Sequence, residues 1–293
     1  MSGEAWDLAN EAASRAGVRI VALDGPGDVD LVNEVIRTVW GEQLLPPEVM
    51  RALQHAGCVL LGAREQGARG EVLAGFVFGF MGFEGGFHLH SHMLAVLPEL
   101  QAHGVGFALK AAQRAACLDH GIDEVRWTYD PLVARNGWFN LMKLGATADR
   151  FHEHFYGDMR DVLNRGDRSD RFEVVWRLGS GRVRRALSGE GGACAVDVDR
   201  VPSLLEADGD PVAPEPRLVD GPPGHRALVA VPADHFGLRQ RDPDLAGRWR
   251  VAAGRAFRSC MDAGMVATAI TRDGRYLFEH PSADPTPDGG GSG

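Results

Sequence analysis

The chain has 293 residues, of which 44% are hydrophobic and 24% are charged, a composition that excludes collagen-like, disordered and small disulfide-stapled proteins. Its 31 lysine and arginine residues stand against 40 aspartate and glutamate residues, and the net charge of -9 argues against a nucleic-acid partner. The N-terminus is acidic and no apolar run is long enough to cross a bilayer, so we expect a cytoplasmic protein without membrane contact. Free thiols of a reducing compartment are expected at Cys58, Cys117, Cys194 and Cys260, which lack metal-ligand spacing.

The first two thirds of the chain alternate between helical and extended patterns. Residues 1–17 are predicted as an N-terminal helical segment. Hydrophobic periodicity and turn residues then predict, in order, a strand at 19–23, helices at 29–40 and 48–55, strands at 58–63, 72–81 and 87–96, a helix at 104–120, a strand at 124–129, a helix at 136–144, and strands at 146–155 and 171–178. This order indicates one α/β domain over residues 18–178, with a mixed, mostly antiparallel sheet flanked by helices.

A smaller α/β extension is predicted at residues 225–280, after a Gly/Pro/Asp-rich linker at 179–224 that is irregular apart from a short strand or two. The extension has strands at 226–231, 265–270 and 276–278 around a helix at 244–263. That helix carries one apolar stripe with Trp249 and Phe257, which must pack on the sheet of its own chain or on a second protomer in a homodimer. The tail, residues 281–293, is predicted to be disordered by composition.

A glycine-rich turn opens the helix that begins at residue 104. Residues 91–106 read SHMLAVLPELQAHGVG, which predicts a strand, a proline-containing turn and the first turn of the helix. Glycines at a helix start let an anion approach the free N–H groups, and the helix dipole favours a pyrophosphate there. An ordinary β-α turn shows the same pattern. Along the helix itself, four side chains are predicted to point outward, those of Lys110, Gln113, Arg114 and Asp119.

The order of this strand, the Gln-x-x-Gly-x-Gly turn, an alanine-rich helix, another strand and an asparagine-containing helix that ends in KLGA resembles the GNAT superfamily of acyl-CoA-dependent N-acyltransferases. The resemblance covers about residues 18–178, and the SHMLAV and WTYDPL runs are similar to those of a bacterial GNAT subgroup. It implies that the CoA pyrophosphate binds at the turn, at Gln101, His103, Gly104, Val105 and Gly106. It also implies that strand residues Met93, Leu94, Ala95 and Val96 offer main-chain groups to pantetheine and the thioester carbonyl, and that the later helix contacts CoA through Asn136, Asn140 and Lys143.

The resemblance further implies the reaction. An acyl group, from acetyl-CoA or succinyl-CoA as co-substrate, would pass to a primary amine such as a small amino acid, with no metal involved. Many members carry, four residues before the glycine that ends the later helix, a tyrosine that protonates the leaving thiolate, and this position is Leu141 here. A thiol with a pKa of about 8.5 needs little help in leaving. The alternative is a CoA-binding module that has lost catalysis and serves regulation or assembly.

Several side chains are candidates for proton transfer. Tyr129 or Tyr156 would have to act as the acid if a phenol is needed. His88, His90 and His92 alternate along one strand and are expected on one face, where they could ligate zinc or line a polar cleft. We favour the cleft, in which His90 or His92 takes a proton from the acceptor amine, although a merely solvated histidine fits the pattern equally well. Asp130 is a further candidate base, or simply the residue that ends a strand before Pro131.

Overall fold

The computed structural model describes residues 2–41, 45–67, 70–159, 161, 166–189 and 196–281. The predicted disordered tail lies outside these residues except for residue 281, and so does Cys194. The helices are α1 (Ser2–Arg15), α2 (Pro26–Trp40), α3 (Pro47–His55), α4 (Val105–Asp119), α5 (Ala134–Gly137), α6 (Gly181–Leu187), α7 (His235–Arg241) and α8 (Pro243–Asp262), and a π-helix (Trp138–Lys143) follows α5 directly.

The strands are β1 (Val18–Ala22), β2 (Val59–Gly67), β3 (Gly70–Gly82), β4 (His88–Val96), β5 (Glu124–Tyr129), β6 (Thr147–His152), β7 (Arg171–Arg177), β8 (Ser203–Asp208), β9 (Glu215–Leu218), β10 (Arg226–Ala230), β11 (Val266–Ile270) and β12 (Arg275–Glu279). They form one sheet in the order β1-β2-β3-β4-β5-β7-β6-β11-β12-β10-β8-β9. Only the β4–β5 and β8–β10 pairs are parallel within the described residues. The predicted α/β fold with a mostly antiparallel sheet is therefore confirmed.

Helices cover both faces of the first half of this sheet. Small and branched residues of α4, among them Leu109 and Ala112, pack on Leu61 and Val77 of the strands. On the opposite face Val32 and Ile36 of α2 pack on Phe76 and Phe78 of β3. Each helix buries the apolar stripe that its 3.6-residue period aligns, which fixes α4 beside β4 and places its N-terminus at the end of that strand.

The C-terminal extension continues the same sheet. β11 pairs with β6 through Ala267 and Ala148, and one hydrophobic core runs across this junction. The apolar stripe of α8 is buried in that core, with Trp249 donating its indole N–H to the Pro214 carbonyl at 2.7 Å. Of the two expected packing partners, the stripe uses the sheet of its own chain. The homodimer stays a prediction.

The region predicted as a linker contains two short strands, as expected, and one helix that was not predicted. These elements are α6, β8 and β9, and β8 pairs with both β9 and β10. The positions of the strands were not predicted, because they are short and β9, which contains Pro216, has no buried side chain. None of the helices in the described ranges is long and apolar enough to cross a membrane.

Candidate active site

A cleft opens where two parallel strands separate. β4 and β5 pair only at Leu89↔Val125 and His90↔Arg126, and beyond these pairs they diverge. Across from β5, the register of β4 with β3 shifts so that Phe78 faces Met93 while Gly79 faces Ser91, which leaves His92 as an extra residue. A cavity of about 770 Å³ fills the space between the diverging strands. The cavity places main-chain groups of residues 91–96 beside an opening large enough for a substrate arm.

Two of the three histidines of β4 lie close together at the β-bulge that this extra residue forms. The rings of His90 and His92 are 6.1 Å apart between centroids, and His92 lines the cavity. Burial lowers the pKa of both below 6.5, and the neighbouring His92 and His88 lower that of His90 further. Both imidazoles are therefore neutral at pH 7 and able to accept a proton. His88 is buried instead, with Nδ1 3.0 Å from the Gly86 carbonyl oxygen.

A search of the described residues for three or more histidine, cysteine, aspartate or glutamate side chains placed to hold a metal ion finds none. The three cysteines within those residues, Cys58, Cys117 and Cys260, are free thiols. Of the three strand histidines, His92 lines the cleft.

The two candidate tyrosines occupy different environments. Tyr129 is buried, its hydroxyl donates to that of Tyr276 at 3.3 Å, and Tyr276 in turn donates to the Pro131 carbonyl at 2.9 Å. Burial raises the pKa of Tyr129 well above its ordinary value, so it keeps a proton that is already committed to Tyr276. Tyr156 is 44% exposed, lines the cavity and has its hydroxyl 3.1 Å from Thr128 Oγ1.

Asp130 is engaged in an ion pair with the C-terminal extension. Arg250 of α8 donates to both of its carboxylate oxygens, at 2.7 and 2.8 Å, and the Leu132 amide donates to Oδ1. The same guanidinium donates through Nε to Asp167 at 3.1 Å. A base role for Asp130 would require this pair to open, whereas the observed contacts tie the end of β5 to α8.

The extension also supplies one wall of the cavity, through residues that were not predicted from the sequence. The lining residues that follow β10 are Ala233, Asp234, His235, Phe236 and Arg239. His235 is buried with Nε2 2.8 Å from Asp167 Oδ2, and its Nδ1 has no hydrogen-bond partner within the described residues. The polar residues that follow the carboxyl end of the buried strand β10 were the available signal for a site. The local sequence did not show, however, that this end of β10 lies beside β4 and β5.

The outward orientation predicted for the polar residues of α4 is wrong for three of them. Lys110 is 2% exposed, and Gln113 and Arg114 are buried as well. Trp127 of β5 and Trp176 of β7 cover this part of the helix, with Lys110 Nζ lying 3.9 Å from the centroid of the Trp127 ring. Lys110 lines the cavity, so the second face of α4 belongs to the site.

The predicted anion site lies at the other end of the cleft. Gly104 is the N-cap of α4 with φ +92°, a conformation that favours glycine, and Gly106 follows in the first turn. Gln101 donates its side-chain amide to the Val96 carbonyl at 3.1 Å and so braces the turn. His103 and Gly104 line a second cavity, of about 890 Å³, between α1, α4, the π-helix and α6.

The segment formed by α5 and the π-helix borders both cavities. Asn136 and Asn140 line the cleft between the strands, while Lys143 lines the second cavity beside His103. The wider i→i+5 turn of the π-helix suits a segment that must present side chains in two directions, and such turns are frequent at functional sites. The predicted CoA-binding residues are thus divided between the two cavities, with Met93, Asn136 and Asn140 at the first and His103 and Lys143 at the second.

Comparison with known protein families gives a match for the part of the chain that contains the diverging strands. Residues 30–136 match the model of the acetyltransferase (GNAT) family. This part of the chain is similar to the GNAT acetyltransferases. The matched part runs from α2 to α5 and includes the diverging strands and the glycine turn.

More distant comparisons add little to this. No curated protein sequence matches significantly. Among solved structures, the ribosomal-protein-S18-alanine N-acetyltransferase from Escherichia coli is similar at 14% identity and a TM-score of 0.45, over 55% of this chain and 94% of that one. Ard1 from Thermoplasma volcanium is similar at 18% identity and a TM-score of 0.41, over 54% and 96%. We draw no conclusion about substrates from similarities at this distance.

Proposed function

We propose that the protein transfers an acyl group from CoA to a primary amine. The observation that carries this proposal is the separation of β4 from β5 immediately beside the glycine N-terminus of α4. A CoA pyrophosphate at the first turn of α4 would be held by backbone N–H groups and the helix dipole. The pantetheine arm would then run along β4 from Val96 towards Ser91, using the main-chain groups that β5 leaves unpaired in this part of the strand.

Gly106→Val is expected to weaken CoA binding at least about tenfold, because a branched side chain in the first turn crowds the approach to the N–H groups. A Cβ at Gly106 would lie 3.8 Å from Val96 Cγ2, an ordinary contact, so the fold should be retained. Gly104 is less suited to this test because its positive φ strains any other residue. Isothermal titration calorimetry with CoA measures the effect.

Gly247→Val is the matched control, since Gly247 is an exposed glycine within α8 whose Cβ would meet nothing within 4 Å. It carries the same change in helix propensity and should bind CoA normally. If wild-type protein binds no CoA at all, the pyrophosphate site is absent and the proposed function is wrong.

The chemistry requires a neutral amine, a polarised thioester and a proton for the departing thiolate. His90 or His92, neutral at pH 7, takes the proton of the acceptor ammonium, directly or through water. A backbone N–H of β4 stabilises the tetrahedral oxyanion. The nitrogen–carbon bond forms, the carbon–sulfur bond breaks, and the attacking nitrogen gives up its second proton. That proton passes to the thiolate through Tyr156 or water, since the hydroxyl of Tyr129 is committed to Tyr276.

His92→Gln is expected to lower kcat/KM by roughly 100-fold, the usual size of a general-base contribution. Because burial lowers the histidine pKa, the base is active above that value, and activity should fall only as the pH drops through an inflection below 6.5. A pH profile of kcat/KM for wild type, His90→Gln and His92→Gln measures both effects. His120→Gln, at an exposed histidine that ends α4, should leave the profile unchanged, and full activity in both site variants would remove histidine from the mechanism.

For the acceptor, we propose a small amine that carries a carboxylate, such as an amino acid. Arg171 of β7 and Arg239 of α7 both line the cavity, and guanidinium groups suit carboxylates. Release of free CoA from acetyl-CoA and succinyl-CoA against a panel of amines and amino acids tests this. Leu141 is buried and stands where many GNAT enzymes carry the tyrosine that acts as the acid. This residue favours the alternative, an inactive CoA-binding module. Binding of CoA without release of CoA from any combination of thioester and amine would support that alternative.

A further inference from the structure

A buried lysine lies where the two strands of the cleft begin to separate. The Nζ of Lys110 donates to Ser91 Oγ at 3.1 Å and to Gln113 Oε1 at 2.7 Å, and the rings of Trp127 and Trp176 lie 3.9 and 5.1 Å away. Ser91 follows directly after the last residue of β4 that pairs with β5. The ammonium therefore occupies the closed end of the cavity.

This lysine has neutral partners only. In the part of the chain that the structure describes, no carboxylate pairs with Lys110, and Cys117 is the other ionisable group that acts on it. Burial raises the pKa of the Cys117 thiol to about 12, so it stays uncharged, and burial lowers the pKa of Lys110 to about 7. A buried cation is costly without an anion, and an anionic ligand would supply one.

The position also distinguishes Lys110 from the other basic residues. Lys110 and Lys143 are the two lysines of the chain, whereas its remaining basic residues are arginines. Lys143 is exposed and lies at the second cavity, beside the expected pyrophosphate site. A pantetheine arm that enters from that end and follows β4 towards Ser91 would direct the far end of its acyl group at Lys110.

We propose that Lys110 binds the terminal carboxylate of the acyl group, so that the donor is a dicarboxylic acyl-CoA. This inference rests on the proposed acyl transfer and names its donor class. The Lys110 ammonium would donate to a carboxylate oxygen in place of, or beside, its bonds to Ser91 and Gln113. Charge-assisted hydrogen bonds in a water-poor cavity give strong selection against an uncharged group of the same shape.

Three CoA thioesters test the proposal: succinyl-CoA, acetyl-CoA and 4-methylpentanoyl-CoA, in which two methyl groups replace the carboxylate oxygens of the succinyl group. For wild type, kcat/KM with succinyl-CoA should be at least about ten times kcat/KM with 4-methylpentanoyl-CoA. Lys110→Met, which keeps the length of the side chain, should reduce this ratio by about 10- to 100-fold, as expected for one charged hydrogen bond. Lys143→Met, at the other lysine, should change kcat/KM for all three thioesters by the same factor.

A second measurement does not depend on a variant that folds. At pH 8 the binding of succinyl-CoA to wild type should take up a proton, because the bound carboxylate restores the charge of Lys110, while 4-methylpentanoyl-CoA should not. Calorimetry in buffers of different ionisation enthalpy measures this uptake. Equal use of the three thioesters, or a mass increase from acylation of Lys110 itself, would overturn the carboxylate site and leave acyl transfer standing. Failure to release CoA from any thioester would overturn both.

Discussion

Arg250→Ala is expected to lower the free energy of unfolding by about 3–5 kcal/mol, because it leaves Asp130 without its cation and removes one of the cations of Asp167, which keeps Arg239 at 3.6 Å. The guanidinium is 4% exposed and bonds both Asp130 and Asp167, which are themselves mostly buried. We also expect acyl transfer to fall sharply, since the same pair holds the end of β5 against α8. Chemical denaturation followed by fluorescence measures the first effect, and CoA release at a temperature where the variant is folded measures the second.

Arg248→Ala is the control on the same helix. Arg248 pairs with Glu215 at 2.8 Å, but the two side chains are 51% and 59% exposed, so the loss of this pair should change the stability little. The two variants remove the same chemical group from different faces of α8. Equal destabilisation of both would contradict the role given to the buried network and would point to a general weakening of the helix.

Phe257→Ala is expected to destabilise the protein by about 3–5 kcal/mol, the usual cost of truncating a fully buried phenylalanine. Its ring lies 4.6 Å from that of Phe172 in β7 and 5.8 Å from that of Tyr276 in β12, measured between centroids. The cavity that it leaves would therefore lie between β7 and the C-terminal extension. Thermal and denaturant unfolding should show one cooperative transition, displaced as a whole.

Val251→Ala tests the opposite face of the same helix. Val251 is 47% exposed, so its truncation should change the free energy of unfolding by less than about 0.5 kcal/mol. Two separate transitions in the Phe257→Ala variant, with the first half of the chain unaffected, would show that the extension is an independent appendage.

The sequence predicted most elements of the first two thirds of the chain, because their apolar residues follow a regular period. The strand predicted at 124–129 is observed as Glu124–Tyr129. The hairpin of β2 and β3 is longer than predicted. Its polar end, where Gln66 pairs with Glu71, resembles a loop in the sequence. β8 depends on pairing with β10, and β9 depends on pairing with β8. Short polar segments give no signal for such partners.

The residues of the candidate site were likewise predicted only where the signal is local in the sequence. The glycine turn and its neighbouring strand were identified because their motif is local, within residues 91–106. Lys110 was predicted to face solvent, and its burial depends on Trp176, which is 66 residues away in the chain. The bond from Arg250 to Asp130 spans 120 residues. Contacts of this kind arise from the order of strands in the sheet, which periodicity does not encode.

The cleft has two walls that come from widely separated stretches of the chain. The donor side is built by β4, β5 and α4, and the opposite wall by residues 233–239 of the extension. In the proposed arrangement, substitutions in the second stretch alter which amine is accepted without touching the groups that hold CoA. Natural selection can therefore retune the acceptor while it preserves the donor, provided that the ion pair from Arg250 to Asp130 keeps the two walls in register. A lineage of such proteins would be expected to diversify first in this short segment.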